Sequence, residues 1–163
     1  MRVARLVILG LVLVVIIGCA SVGLGKKDSE RAQLLISANS FYHYTDTKNY
    51  EGMWLLSSPD LKQAIPKEEF VKQTQLYLSY ISTINHYDLI VIFMNEKLAV
   101  TQANVSIRER LKDGVVGRVI NICERIVWLR LPDGWHYDEA GRECSYMPDK
   151  ERMESLTKNI PNR

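Results

Sequence analysis

Apolar positions in the first third of the chain after residue 28 follow a helical period. Leu34, Ala38, Phe41, Tyr42 and Thr45 stand at i, i+4, i+7, i+8 and i+11, which is one face of a helix over residues 29–45. Tyr50 and Trp54 sit one turn apart in a second helical stretch, residues 48–56, which Ser57-Ser58-Pro59-Asp60 interrupts with a proline placed to open a short new turn. Pro66 is expected at the first position of a third helix, with Glu68 and Glu69 against its positive end and Phe70, Thr74, Tyr77, Leu78 and Ile81 as its buried stripe. After Thr83 the period changes. Residues 87–94 are β-branched, aromatic and apolar on both faces, the pattern of a strand covered on both sides. Residues 98–108 alternate, Ala99, Thr101, Ala103, Val105 and Ile107 against Gln102, Asn104, Ser106 and Arg108. Residues 116–131 read as one strand of about 50 Å, too long to stay straight, so it is expected to bend or bulge. Pro132-Asp133-Gly134 suits a three-residue hairpin loop, which sets Leu131 opposite Trp135, Leu129 opposite Tyr137 and Val127 opposite Glu139. Met153, Leu156 and Ile160 then keep helical spacing in a charged tail, residues 148–163, expected to dock loosely or fray.

The first eighteen residues have a different character. Arg2 and Arg5 precede an apolar run from Leu6 to Ile17, and small residues follow at Gly18, Cys19, Ala20 and Ser21. That is the order of a secretory signal peptide, and the run falls well short of the ~20 residues that cross a bilayer. Ile16-Ile17-Gly18-Cys19 resembles the lipobox of bacterial lipoproteins, with Ile16 where that family prefers Leu. The resemblance implies that the Cys19 thiol carries a diacylglycerol and becomes the mature N-terminus. Because Ala20 is not Asp, it also implies the outer membrane, periplasmic side, rather than the inner membrane. Residues 19–28 are then a short lipidated tether, and residues 29–147 form the folded domain.

Composition excludes more than it assigns. Of 21 basic and 19 acidic residues, Arg2 and Arg5 belong to the leader, so the mature chain is balanced. No basic run exceeds Lys26-Lys27, and nucleic acid is not an expected partner. The sequence has no glycine-rich phosphate loop, nucleophile elbow or metal-ligand spacing, so no cofactor, metal or catalytic set is assigned.

Two groups of residues are candidates for a role. Cys123 and Cys144 could bridge in an oxidising compartment. The hairpin register above puts Cys123 opposite Glu143; a bulge near Gly141, or a two-residue Asp133-Gly134 turn, brings the cysteines face to face, and two free thiols remain the alternative. Tyr42, Tyr50, Trp54, Tyr77, Trp128, Trp135 and Tyr137 could line a cavity for a small apolar ligand or simply pack as core. With Trp135 and Tyr137 facing inward, His136 and Asp138 are expected on the opposite, solvent-facing side of their strand.

Three helices followed by four antiparallel strands, the last containing Gly134-Trp135-His136-Tyr137, resemble the nuclear transport factor 2-like superfamily over residues 29–144. The resemblance implies an α+β fold in which helices pack on a strongly curved four-stranded antiparallel sheet with a pocket at one end. It does not imply an activity. The expected role is a non-catalytic envelope module, tethered to the membrane, for a partner protein or a small apolar ligand. The alternatives are an isomerase or hydratase with a Tyr/His–Asp pocket, and a structural part of an envelope assembly.

Overall fold

The computed structural model describes residues 25–111, 115–158 and 160. Cys19, the leader and most of the tether lie outside them. The chain divides into two units, residues 1–30 and 31–163, and the second is the folded domain.

Helix α1 (Lys26–Asp46) begins three residues before the expected Ser29 and buries Leu34, Ala38, Phe41 and Tyr42. Helix α2 (Tyr50–Leu56) is capped by Asn49, whose side chain accepts from the Gly52 N–H. Ser58 caps α3 (Pro59–Ala64) by accepting from the Leu61 N–H, with Pro59 in the first turn. Helix α4 (Lys67–Ser79) starts one residue later than expected, because Pro66 is its N-cap with an extended backbone. This adds a short helix, α3, to the three expected.

The four strands β1 (Ile81–Met94), β2 (Leu98–Arg110), β3 (Val116–Leu131) and β4 (Gly134–Gly141) form one antiparallel sheet in sequence order. Strand β1 is longer than residues 87–94 and carries three register shifts; one spans Asp88, which has φ 55°. Such bulges bend a strand and increase its twist.

Alternation along β2 serves two cores. Ala99, Ala103 and Val105 face α1, with Ile126 and Trp128 of β3 beside them. Leu98 and Val100 face the other way with Val127 and Leu129, and there they meet Leu156 and Ile160. The tail is therefore not loose. Helix α5 (Lys150–Thr157) is capped by Asp149 and docks through a Leu156 that is 3% exposed. The back of the sheet supplied an apolar strip that the tail's own spacing matches.

The last hairpin also differs from expectation. Leu131 pairs with Gly134, leaving a two-residue loop, and Gly134 at φ 151° takes a conformation that favours glycine. Trp128, not Leu129, then faces Tyr137, and a bulge at Asp138 restores the expected pairing of Val127 with Glu139. Cys123 and Cys144 are joined, with Cα atoms 5.3 Å apart. The outer edge of β4 is covered, since the Ser58 N–H donates to the Tyr137 carbonyl at 2.6 Å.

Candidate functional site

Between α1, α4 and the inner face of the sheet lies a cavity of about 350 Å³, within the range of small-molecule sites. Phe41, Phe70, Leu78, Ile84 and Val105 make most of its wall apolar. Against that background a few polar groups stand out: Tyr42 of α1, Tyr77 of α4, Glu124 of β3, and Tyr137 and Arg142 at the end of β4.

Glu124 is inside because of strand alternation. Ile122, Glu124, Ile126 and Trp128 share the inner face of β3, and Glu124 pairs across to Ala103, which offers it only a methyl group. Burial pushes the Glu124 carboxyl above its ordinary range, against the opposing influence of the Tyr42 hydroxyl and the Arg142 charge. Tyr42 is 3% exposed, and its hydroxyl faces the Glu124 carboxyl. Burial, and then the charge of Glu124, raise that hydroxyl far above the usual phenol range. The ring is fixed from outside by His86, stacked at 4.4 Å and 13°, whose Nε2 donates to Asn39 Oδ1 at 3.0 Å. Burial lowers the His86 pKa, so the imidazole is neutral at neutral pH. Tyr137 stacks on Phe41 at 4.7 Å.

At the mouth, the Arg142 guanidinium carbon lies 4.8 Å from the centre of the Tyr77 ring, a cation–π contact. Burial raises the Tyr77 hydroxyl and Arg142 offsets part of that rise. The cavity thus combines an apolar wall, a deep phenol and carboxyl that prefer their neutral forms, and a cation at the opening. Such an arrangement can bind an apolar molecule and hold a proton at a defined position.

Of the seven aromatic residues singled out from the sequence, Tyr42, Tyr77 and Tyr137 line this cavity. The other four do not. Trp128 is fully buried, its indole N–H donating to Thr101 Oγ1 at 2.9 Å, because it belongs to the layer beneath α1. Trp135 is buried under the Arg130 guanidinium at 5.5 Å. Trp54 tilts against Phe70, taking up space behind the wall, and Tyr50 packs on the core from α2. Glu124 and Arg142 were not foreseen. Placing Glu124 among the isoleucines of β3's inner face was the signal available for it; Arg142 had none.

Asp138 also departs from expectation. The bulge turns it away from solvent to 6% exposure, where it accepts from Ser58 Oγ at 2.5 Å and from Arg152 at 3.2 Å. His136 contacts the Ser57 carbonyl at 3.3 Å and Asp133 at 2.9 Å. These two tie β4 to α3 and α5 and lie apart from the cavity. Among the described residues, no group of three or more His, Cys, Asp or Glu could hold a metal ion, and no helix is long and apolar enough to cross a membrane.

No family model matches the sequence, and no curated protein matches it either. Solved structures do. A protein of Kribbella flavida aligns with 82% of this chain and 99% of its own, at 14% identity and a TM-score of 0.58. A nuclear transport factor 2-like superfamily protein of Salmonella enterica aligns with 76% of this chain and 98% of its own, at 11% identity and a TM-score of 0.57. A candidate dehydratase of the same family from Streptomyces avermitilis aligns with 72% of this chain and 99% of its own, at 15% identity and a TM-score of 0.54. At these identities the likeness is one of architecture: the domain has a nuclear transport factor 2-like α+β fold.

Proposed function

We propose that this protein is an envelope lipoprotein whose domain, tethered through Cys19, takes up a small and largely apolar molecule in the cavity between α1, α4 and the sheet. One observation carries the reading. The hydroxyl of a tyrosine that is 3% exposed and a half-buried carboxyl, Tyr42 and Glu124, face each other in an otherwise apolar cavity. Small-molecule sites are apolar pockets with a few convergent polar groups, which is what this pair provides.

The test is to fill the space. Thr74 lines the cavity from α4 and is only half-buried, so Thr74→Trp can project an indole inward without breaking the core. An apolar fluorophore that binds the wild type should lose at least tenfold in affinity for the variant, with the melting temperature nearly unchanged. Equal binding by both proteins would refute the cavity as the site.

A second reading has its own observation. Burial holds Glu124 toward its protonated form, which suits a general acid or base, and one protein of similar fold is a candidate dehydratase. Under this reading Glu124→Gln abolishes turnover while leaving binding intact. A module that only binds has no turnover to lose.

A further inference from the structure

The mouth of the cavity carries a cation that no carboxylate among the described residues pairs with. Arg152 pairs with Asp138 and Glu139, and Arg118 with Glu109, but none of the ion pairs among the described residues uses Arg142. Its guanidinium lies instead against the Tyr77 ring. Its charge also acts on Glu124, against the larger effect of burial.

The backbone around Arg142 is fixed on both sides. Gly141 pairs with Arg125, and a Cβ there would overlap the Tyr146 ring, so only glycine lets the segment pack this closely. Two residues beyond Arg142, Cys144 is bonded to Cys123, the neighbour of Glu124. A glycine and a disulfide therefore hold an exposed arginine at the opening, while Tyr42 offers its hydroxyl inside.

We propose that the cavity selects an amphipathic monoanion, with its carboxylate on the Arg142 guanidinium and its apolar body reaching toward Tyr42. A guanidinium offers a planar fork of donors that matches a carboxylate, and its stacking on Tyr77 leaves those edges free to donate. A phosphate dianion fits less well, because a single cation leaves one charge uncompensated near Glu124. This inference rests on reading the cavity as a ligand site and adds the charge of what enters it.

The experiment uses three compounds of one shape: 4-phenylbutanoate, 4-phenylbutanamide and 4-phenylbutylamine. Each is titrated calorimetrically into the full chain in detergent, with a detergent blank. The acid should bind at least tenfold tighter than the amide. Arg142→Gln should bring the acid to the level of the amide and leave the amide within twofold, and Arg142→Lys should keep part of the preference. Arg118→Gln, which alters an exposed cation away from the cavity, should change nothing. An amide that binds as tightly as the acid overturns the proposal while leaving the cavity as a binding site. So does a preference that survives in Arg142→Gln. Tightest binding by the amine overturns it too and moves the polar contact to Glu124. If none of the three binds, the ligand reading of the cavity fails, and this inference fails with it.

Discussion

Tyr42 and Glu124 make opposite demands on stability and function. The Tyr42 hydroxyl faces the Glu124 carboxyl, so Tyr42→Phe removes that one internal contact. The free energy of unfolding should fall by about 1 kcal/mol, the usual loss when a bonded hydroxyl is deleted. Affinity for the ligand should fall about tenfold, which is about 1.4 kcal/mol. Urea unfolding and a binding titration on the same samples separate the two effects. Glu124 gives a pH dependence with a definite sign. Burial raises its folded-state pKa above the unfolded value, so the folded protein binds the extra proton. The contribution to stability is fully present below the ordinary carboxylate range and is lost as pH rises through the raised value. Glu124→Gln should therefore be more stable than the wild type at pH 8, with the advantage shrinking to nothing near pH 4. An advantage that grows on acidification would contradict the burial of this carboxyl. Glu124 was legible in principle, as one ionisable residue among Ile122, Ile126 and Trp128. Asp138 was not, because the bulge that turns it inward follows from contacts with Ser58 and Arg152, distant in sequence.

Elements with a long period were the readable ones. The α1 stripe, the alternation of β2 and the limits of β3 follow from spacing alone, since each buries a face over three or more repeats. The β3–β4 register did not, because the three-residue loop stacks apolar residues whereas the observed two-residue loop pairs Arg130 with Trp135 and Leu129 with His136. What distinguishes them is the docking of Ser57 and Ser58 on β4, which involves residues some eighty positions away. The same limit applies to α5, whose spacing was visible but whose partner, the back of the sheet, was not. Leu156→Ala should cost about 2–4 kcal/mol, since it empties a site between α5 and the strip of Leu98, Val100, Val127 and Leu129. Amide exchange should then speed up across residues 150–157 before it does so in β2 and β3. The disulfide closes the β3–β4 hairpin with a sequence separation of 21 residues. By loop-closure entropy, reducing it should remove about 3 kcal/mol. A urea midpoint unchanged by dithiothreitol would mean that the hairpin is already ordered without the bond.

For the whole molecule, the proposed lipid anchor and the fold have to agree on distance. With α1 beginning at Lys26, the tether expected over residues 19–28 shortens to Ala20–Gly25. Six residues reach at most about 20 Å. Two or three acyl chains on Cys19, at about 0.8 kcal/mol per buried CH₂, would hold that short tether to a membrane without measurable release. The balanced charge of the mature chain adds no electrostatic attraction to an anionic surface, so attachment under this proposal depends on the sulfur alone. Cys19→Ser should then give a protein that keeps its leader, takes up no alkyne-tagged palmitate and is heavier by the mass of the uncleaved segment. The wild type should be labelled, shortened and recovered with outer membranes after density fractionation. Salt at 1 M should leave the wild type bound, because only surface charge is screened at that concentration. A Cys19→Ser variant that is still cleaved and labelled would show that another residue carries the lipid. A wild type washed off by salt would show that basic residues, not acyl chains, hold the domain to the surface.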